Sequence, residues 1–342
     1  MLAWIRSKFR GDFKTVPRKA QGRVKFRPSV FAFEDRLVPA TINVADETQL
    51  TAALGAAVNN DVINFTAASI DLTTAFSATN GGSYFRVTTN LSFTSSVGGT
   101  TLSRNSAAAA FRIFEIASTG AVSFTNISFT GGAPDTGNNG GALLFNGAGT
   151  FTMTGGTLSN NAAANGSGGA IFISAGTLSL DGATIGTNIN GNTAARGGGI
   201  GVDSAGTVSF INNATNIRFN SATTTGGGID FGTAFAGTPT FTALLNVSNN
   251  QTTANGSSGG GIAMRGTGSV TLNGATIRLN QANGNATSGG GGIAVSAGTV
   301  NINGTTTIGG AATGNSTTGS GGGVLVNGGT LTVASTAAVS NN

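Results

Sequence analysis

From residue 131 onward this 342-residue chain carries only eight charged side chains. Four are carboxylates, Asp135, Asp181, Asp203 and Asp230, and four are arginines, Arg196, Arg218, Arg265 and Arg278. Such residues could cleave an acidic polysaccharide if two or three carboxylates met on one face, to hold calcium or to act as acid and base beside a cation. The spacing argues against it: Asp203 falls four residues after the glycine cluster that precedes it and Asp230 only two after its own. The chain has no cysteine and no histidine. That removes Ser-His and Cys-His nucleophiles, thiolate chemistry, and nitrogen or sulfur ligands for zinc. No Gly-Lys pair exists to make a phosphate loop, and no glycine cluster leads into the spaced aspartates of a calcium-binding nonapeptide. The expectation is no catalytic residue, no metal site and no cofactor.

The net charge of +5 is unevenly placed. Residues 1–36 hold ten basic side chains against three acidic, whereas the remainder holds seven against nine. The basic character therefore belongs to a leader, read as a solvated disordered segment, and no nucleic-acid partner is expected of the body. The leader has no run of 7–15 apolar residues such as a secretory signal needs. Nor does any stretch approach the roughly 20 apolar residues of a membrane-spanning helix.

Glycine distribution divides the rest. Only eight of the 57 glycines precede residue 131. Beyond it a glycine cluster recurs before a short apolar run, with landmarks at Gly141, Gly169, Gly199, Gly228, Gly261, Gly292 and Gly323, spaced 28 to 33 residues apart. Six to nine residues after each comes a second landmark, a Gly-Thr or Gly-Ser pair such as Gly176-Thr177 in "AGTLSL". A third is asparagine closing the next segment, at Asn160, Asn190, Asn220, Asn249 and Asn280. Each unit reads strand, turn, strand, turn, strand, asparagine-rich loop. Leu178 and Leu180 alternate with Thr177, Ser179 and Asp181, as one buried strand face requires.

A 30-residue unit of three short strands buries a face only by stacking on copies of itself. The expected fold is all-β, a right-handed parallel β-helix with about 30 residues per coil. It has a disordered leader over 1–40, a cap helix and irregular first coils over 41–130, and regular repeats over 131–342. The landmark glycines are read as corners and the asparagines as a ladder bonding coil to coil. In "ADETQLTAALGAAVNND", Asp46 is an N-cap with Gln49 three residues on, and Leu50, Leu54 and Val58 share a face that would cover the first coil. The sequence stops at "VSNN", in mid-repeat, which is read as part of a longer protein.

The repeats resemble those of the polymorphic outer-membrane proteins of chlamydiae. "GGAI" stands intact at Gly168–Ile171, and "FINN" at Phe210–Asn213 partly matches the second signature of that family. The leader's "FEDRLVPAT" is similar to a motif preceding repetitive ectodomains in exported planctomycete proteins, with Phe31 and Phe33 where leucine is usual. These resemblances imply export to the cell surface, the outer membrane or the exterior, and a non-enzymatic adhesive or stalk role. The partners expected are a surface glycan or protein, and further repeats or a membrane anchor of the same protein. The alternative is a polysaccharide-binding or pectate-lyase-like enzyme.

Overall fold

The computed structural model describes residues 38–241 and 244–342. All but the last three residues of the leader lie outside the described residues. Pro39–Asn342 form one compact unit, an all-β parallel solenoid of about nine coils at roughly 30 residues per coil. Among the described residues no helix is long and apolar enough to cross a membrane.

Each regular coil visits four faces. The first carries the strands after the glycine clusters, nine in all, from Ser83–Val87 to Val324–Val326. The second carries the strands after the Gly-Thr pairs, in a seven-stranded sheet ending at Thr207–Phe210 and a four-stranded sheet beginning at Thr240–Phe241. The third carries ten strands, from Ser69–Leu72 to Ala338–Ser340. The fourth carries six short strands, from Ala162–Ser167 to Ser316–Thr317, where the sequence reads as an asparagine-rich loop. Strands such as "QT" and "ST" lack the apolar alternation by which a strand is recognised.

Side-chain packing differs from face to face. On the second face, strands alternate, with Phe151 and Met153 buried and Thr152 and Thr154 outward. Their inward positions stack in register as Phe93, Phe124, Met153, Leu180 and Phe210, with the Phe93 and Phe124 rings 4.4 Å apart. The first face is buried on both sides, as in Leu143–Phe145, Ile171–Ile173 and Ile293–Val295. The segment leading into each glycine cluster folds over it, and bridges from Thr225 through Ser258 and Gly289 to Ser320 tie these segments together. That is why these strands read as unbroken apolar triplets.

Helix Glu47–Ala56 opens the unit, with Asp46 accepting from the Gln49 amide at 2.8 Å and Gln49 reaching back to Ala45. Leu50, Ala53 and Leu54 join the solenoid's core, but the helix ends before Val58, which is exposed.

Strand register also corrects the glycine landmarks. Ile171 pairs with Ile200 and Ile200 with Ile229, so Gly198 and not Gly199 is the counterpart of Gly169. Gly199, Gly228, Gly261, Gly292 and Gly323 instead align with Ala142 and Ala170, linked by an unbroken run of backbone hydrogen bonds. Each cluster thus has three separate tasks. Its first glycine is left-handed, with φ of 72° at Gly168, 61° at Gly226 and 66° at Gly290. A Cβ on the second would strike backbone of the next coil, as Gly227 would strike the Gly260 carbonyl. The third position is tight but admits alanine, which fills it at residues 142 and 170. Aligning on the last glycine of "GGG" shifted five landmarks by one residue.

The asparagine ladder exists, in a different register. Its members are Asn161, Asn192, Asn220, Asn250, Asn280, Asn315 and Asn342, joined from Nδ2 to the next Oδ1 at 2.8–3.0 Å. In the fully buried middle, Asn220 also donates to the Ile185 carbonyl of the preceding coil and accepts from the Asn192 backbone amide. All four hydrogen-bonding positions of that amide are used. Asn220 and Asn280 stand in the ladder, whereas Asn160 and Asn249 lie one residue ahead of it and Asn190 two ahead. Asn160 and Asn249 are left-handed, with φ of 56° and 55°, and make the turn that sends the next side chain inward.

These adjacent positions give a direct test by urea or thermal unfolding. Asn250→Ala strands buried groups on both neighbouring coils and is expected to cost about 3 kcal/mol or more, against about 1 kcal/mol for Asn249→Ala. Gly227→Ala is expected to cost about 2–3 kcal/mol through overpacking, and Gly228→Ala markedly less.

Candidate functional site

The eight charged residues of the repeats are scattered, except that Arg265 bonds Asp230 and also feels the charge of Asp203. Asp181 ends a second-face strand and accepts from Asn212 Nδ2 at 3.0 Å, and from the Asn213 amide and side chain at 2.9 and 2.7 Å. Asp203 lies between the first and second faces and accepts from the Ser204 and Ala234 amides. Asp230, on the first face, takes a two-pronged contact from Arg265 at 2.9 and 2.6 Å and a third bond from Thr225 Oγ1 at 2.7 Å. Asp135 is exposed in the loop ahead of Gly140. Four positions around the coil mean no facing carboxylates. Arg218 and Arg278 are exposed on the third face and flank Ser248 in register, while Arg196 is exposed at the end of Thr193–Arg196. Among the described residues no three Asp or Glu side chains are placed to hold a metal.

Environment explains the titration of these groups. The Asn212 amide, with Asn213, holds the Asp181 carboxyl below its ordinary value despite opposing burial. The Val58 and Ala40 amides do the same for Asp61. Burial works against the Arg265 charge, yet its hydrogen bonds to Asp230 and that carboxylate's charge raise it.

A more concentrated set sits in the early coils, on residues the sequence reading passed over. The strand Arg112–Ile116, "RIFEI", places two charged side chains in a fully buried strand. Arg112 spends all five N–H groups. Nε donates to the Gly140 carbonyl, Nη1 to Ser83 Oγ and the Gly82 carbonyl, and Nη2 to the Asn80 and Asn139 carbonyls at 2.6 and 2.8 Å. Burial pulls this guanidinium down to about 10, opposed by the charges of Glu115 and Asp135. Glu115 has no exposure, and its Oε1 accepts from Asn80 Nδ2, Arg86 Nε and Asn146 Nδ2 at 2.9–3.0 Å. Its Oε2 and the Asn146 Oδ1 have no partner, two of four such buried side-chain atoms among the described residues.

Above this set lies a groove of about 240 Å³, lined by Asn80, Arg112, Gly137–Asn139, Leu144, Asn146, Phe172 and Ser174. Leu144 and Phe172 are neighbours in register on adjacent coils and form the apolar part of the lining. A second groove, of about 320 Å³, runs outside the asparagine ladder between Asn188, Phe219, Asn249 and Leu279. Phe219 and Leu279 are left-handed there, at φ of 57° and 56°, because they occupy the turn position ahead of Asn220 and Asn280.

No protein-family model matches the chain, and comparison with curated proteins and with solved structures gives no match.

The lowered carboxylates set an acid limit. Because the folded values of Asp61 and Asp181 lie below the ordinary 3.8, their stabilisation is complete above that value and is lost as pH falls through the folded values. Thermal unfolding between pH 5 and pH 2 is expected to show a falling Tm. Asp181→Asn is expected to flatten that fall while lowering Tm at pH 5.

Proposed function

We propose that this chain is a non-enzymatic β-solenoid of the cell exterior, an adhesin-like or structural stalk that presents long, weakly charged faces to a surface glycan or protein. The observation that carries this reading is the second face. Its outward positions stack as Ser92, Ser123, Thr152, Ser179 and Ser209, with Thr150, Thr177 and Thr207 beside them. Hydroxyls bond along the axis, Ser123 to Ser92 at 3.1 Å, Thr207 to Thr177 at 3.1 Å and Ser179 with Ser209 at 3.0 Å. The result is a repeating uncharged array suited to an extended polar partner. The carboxylates Asp181, Asp203 and Asp230 are meanwhile occupied by structural bonds. Export is supported by the leader's "FEDRLVPAT" and the display role by the likeness of the "GGAI" repeats to chlamydial surface proteins. Further repeats or an anchor belonging to the same protein fit this role.

A polysaccharide-processing enzyme is the second reading, favoured by the proximity of Glu115 and Asp135 to Arg112 beside one groove. Against it, Glu115 Oε1 is saturated and Asp135 lies out on a loop, so no acid and base face each other.

The two readings separate on incubation with acidic and neutral polysaccharides, scoring retention of the protein and the appearance of new reducing or unsaturated ends. Retention without products is expected. Product formation that grows with protein concentration would overturn the non-enzymatic reading.

A further inference from the structure

We propose that the groove beside Asn146, with Glu115 behind it, is a subsite for one neutral sugar unit of a glycan, bound through neighbouring hydroxyl groups. This deepens the glycan-contact reading and rests on it.

Four observations select that chemistry. Arg112 draws the Asn80, Gly82, Asn139 and Gly140 carbonyls together, so two loops from different coils are fixed as the groove's walls before any ligand arrives. Since all five of its donors are spent, it has none for a carboxylate or phosphate. The local charges cancel, with Arg86 and Arg112 against Glu115 and Asp135, which favours neither an anion nor a metal cation. Finally, the unmet groups are acceptors, Glu115 Oε2 and Asn146 Oδ1, and they belong to side chains already joined by the bond from Asn146 Nδ2 to Glu115 Oε1.

Unpaired buried acceptors are costly, and a ligand that donates to them recovers the loss. Two adjacent O–H groups supply what the pair lacks. Asn146 lines the groove and is only partly buried, so a rotation of its side chain on binding would bring Oδ1 to one hydroxyl and open Glu115 Oε2 behind it to the other. The Asn138 and Asn139 side chains and Ser174 Oγ line the rest, where the remaining hydroxyls and ring oxygen lie. Leu144 and Phe172 face the C–H side of the ring. At about 240 Å³ the groove equals roughly eight waters at ~30 Å³ each, room for one ring.

The test uses the full chain and four neutral monosaccharides, glucose, galactose, mannose and N-acetylglucosamine, with glucuronate and calcium chloride as contrasts. Binding is followed by calorimetry and by Tm. At least one neutral sugar is expected to bind saturably, with glucuronate and calcium at least tenfold weaker. Ser174→Phe, which fills the groove from its partly exposed rim, is expected to weaken that binding more than tenfold with an unchanged circular dichroism spectrum. Glu115→Gln is expected to weaken it about tenfold, and if that variant fails to fold, Ser174→Phe decides alone. Absence of binding by all four sugars, binding indifferent to Ser174→Phe, or preference for glucuronate or calcium overturns the subsite. Retention on polysaccharide is measured with the same proteins. If Ser174→Phe is retained as well as the parent, the subsite falls and the broader glycan reading stands, whereas loss of retention by the parent overturns both.

Discussion

The solenoid depends on a row of buried amides that have no water to turn to. Each asparagine in the middle of the ladder donates to the coil behind and the coil ahead, so a slip of one residue would strand donors and acceptors on three coils at once. Apolar stacking tolerates exchange among Leu, Ile, Val, Met and Phe, as the inward columns demonstrate; a buried amide tolerates almost nothing. Register is therefore set at this corner and inherited elsewhere. The third-position glycines pack against the same row, since a Cβ on Gly199 would meet the Gly228 carbonyl at 2.7 Å and Asn220 Nδ2 at 3.1 Å, and one on Gly228 the Gly261 carbonyl at 2.7 Å and Asn250 Nδ2 at 3.1 Å. Glycine cluster and asparagine, far apart in each repeat, are two sides of one packing contact.

That coupling explains what the sequence made visible. Coil length, the strand positions and the apolar alternation are written in residue type, because burial and strand propensity act locally. The identity of the ladder asparagine is not, because "SNN" offers two and only the backbone decides which one turns inward. Two repeats did carry the answer. In "RFN" and "RLN" the left-handed position is filled by Phe219 and Leu279, so Asn220 and Asn280 stand alone. Counting from those strands yields Asn161 and Asn250. Asn192 and Asn315 needed the structure, because loops of unequal length precede them.

The Arg112 and Glu115 pair escaped notice for a different reason. In "RIFEI" the two charges stand three residues apart and so on opposite sides of a strand, Arg112 with Phe114 and Ile116 and Glu115 with Ile113, and residue type does not mark both sides as buried. Only the covering segments of the first face turn those charges into buried ones. The signal available was the neighbouring strands, whose unbroken apolar triplets mark a face with no outward side.

The ladder also gives the solenoid a direction. From Asn161 to Asn315 each side-chain amide points one N–H toward the following coil, and with the backbone N–H of the same residue it forms a two-pronged donor, as Asn192 does for Asn220 Oδ1 at 2.8 and 3.1 Å. A completed coil therefore presents a two-pronged donor to the next asparagine carbonyl, while toward the preceding coil it offers the amide oxygen and the second side-chain N–H, which Asn192 gives to the Leu158 carbonyl. The two ends of the ladder are therefore chemically different: a coil added at the C-terminal edge brings an oxygen to a waiting pair of donors, and one added at the N-terminal edge must bring the donors itself.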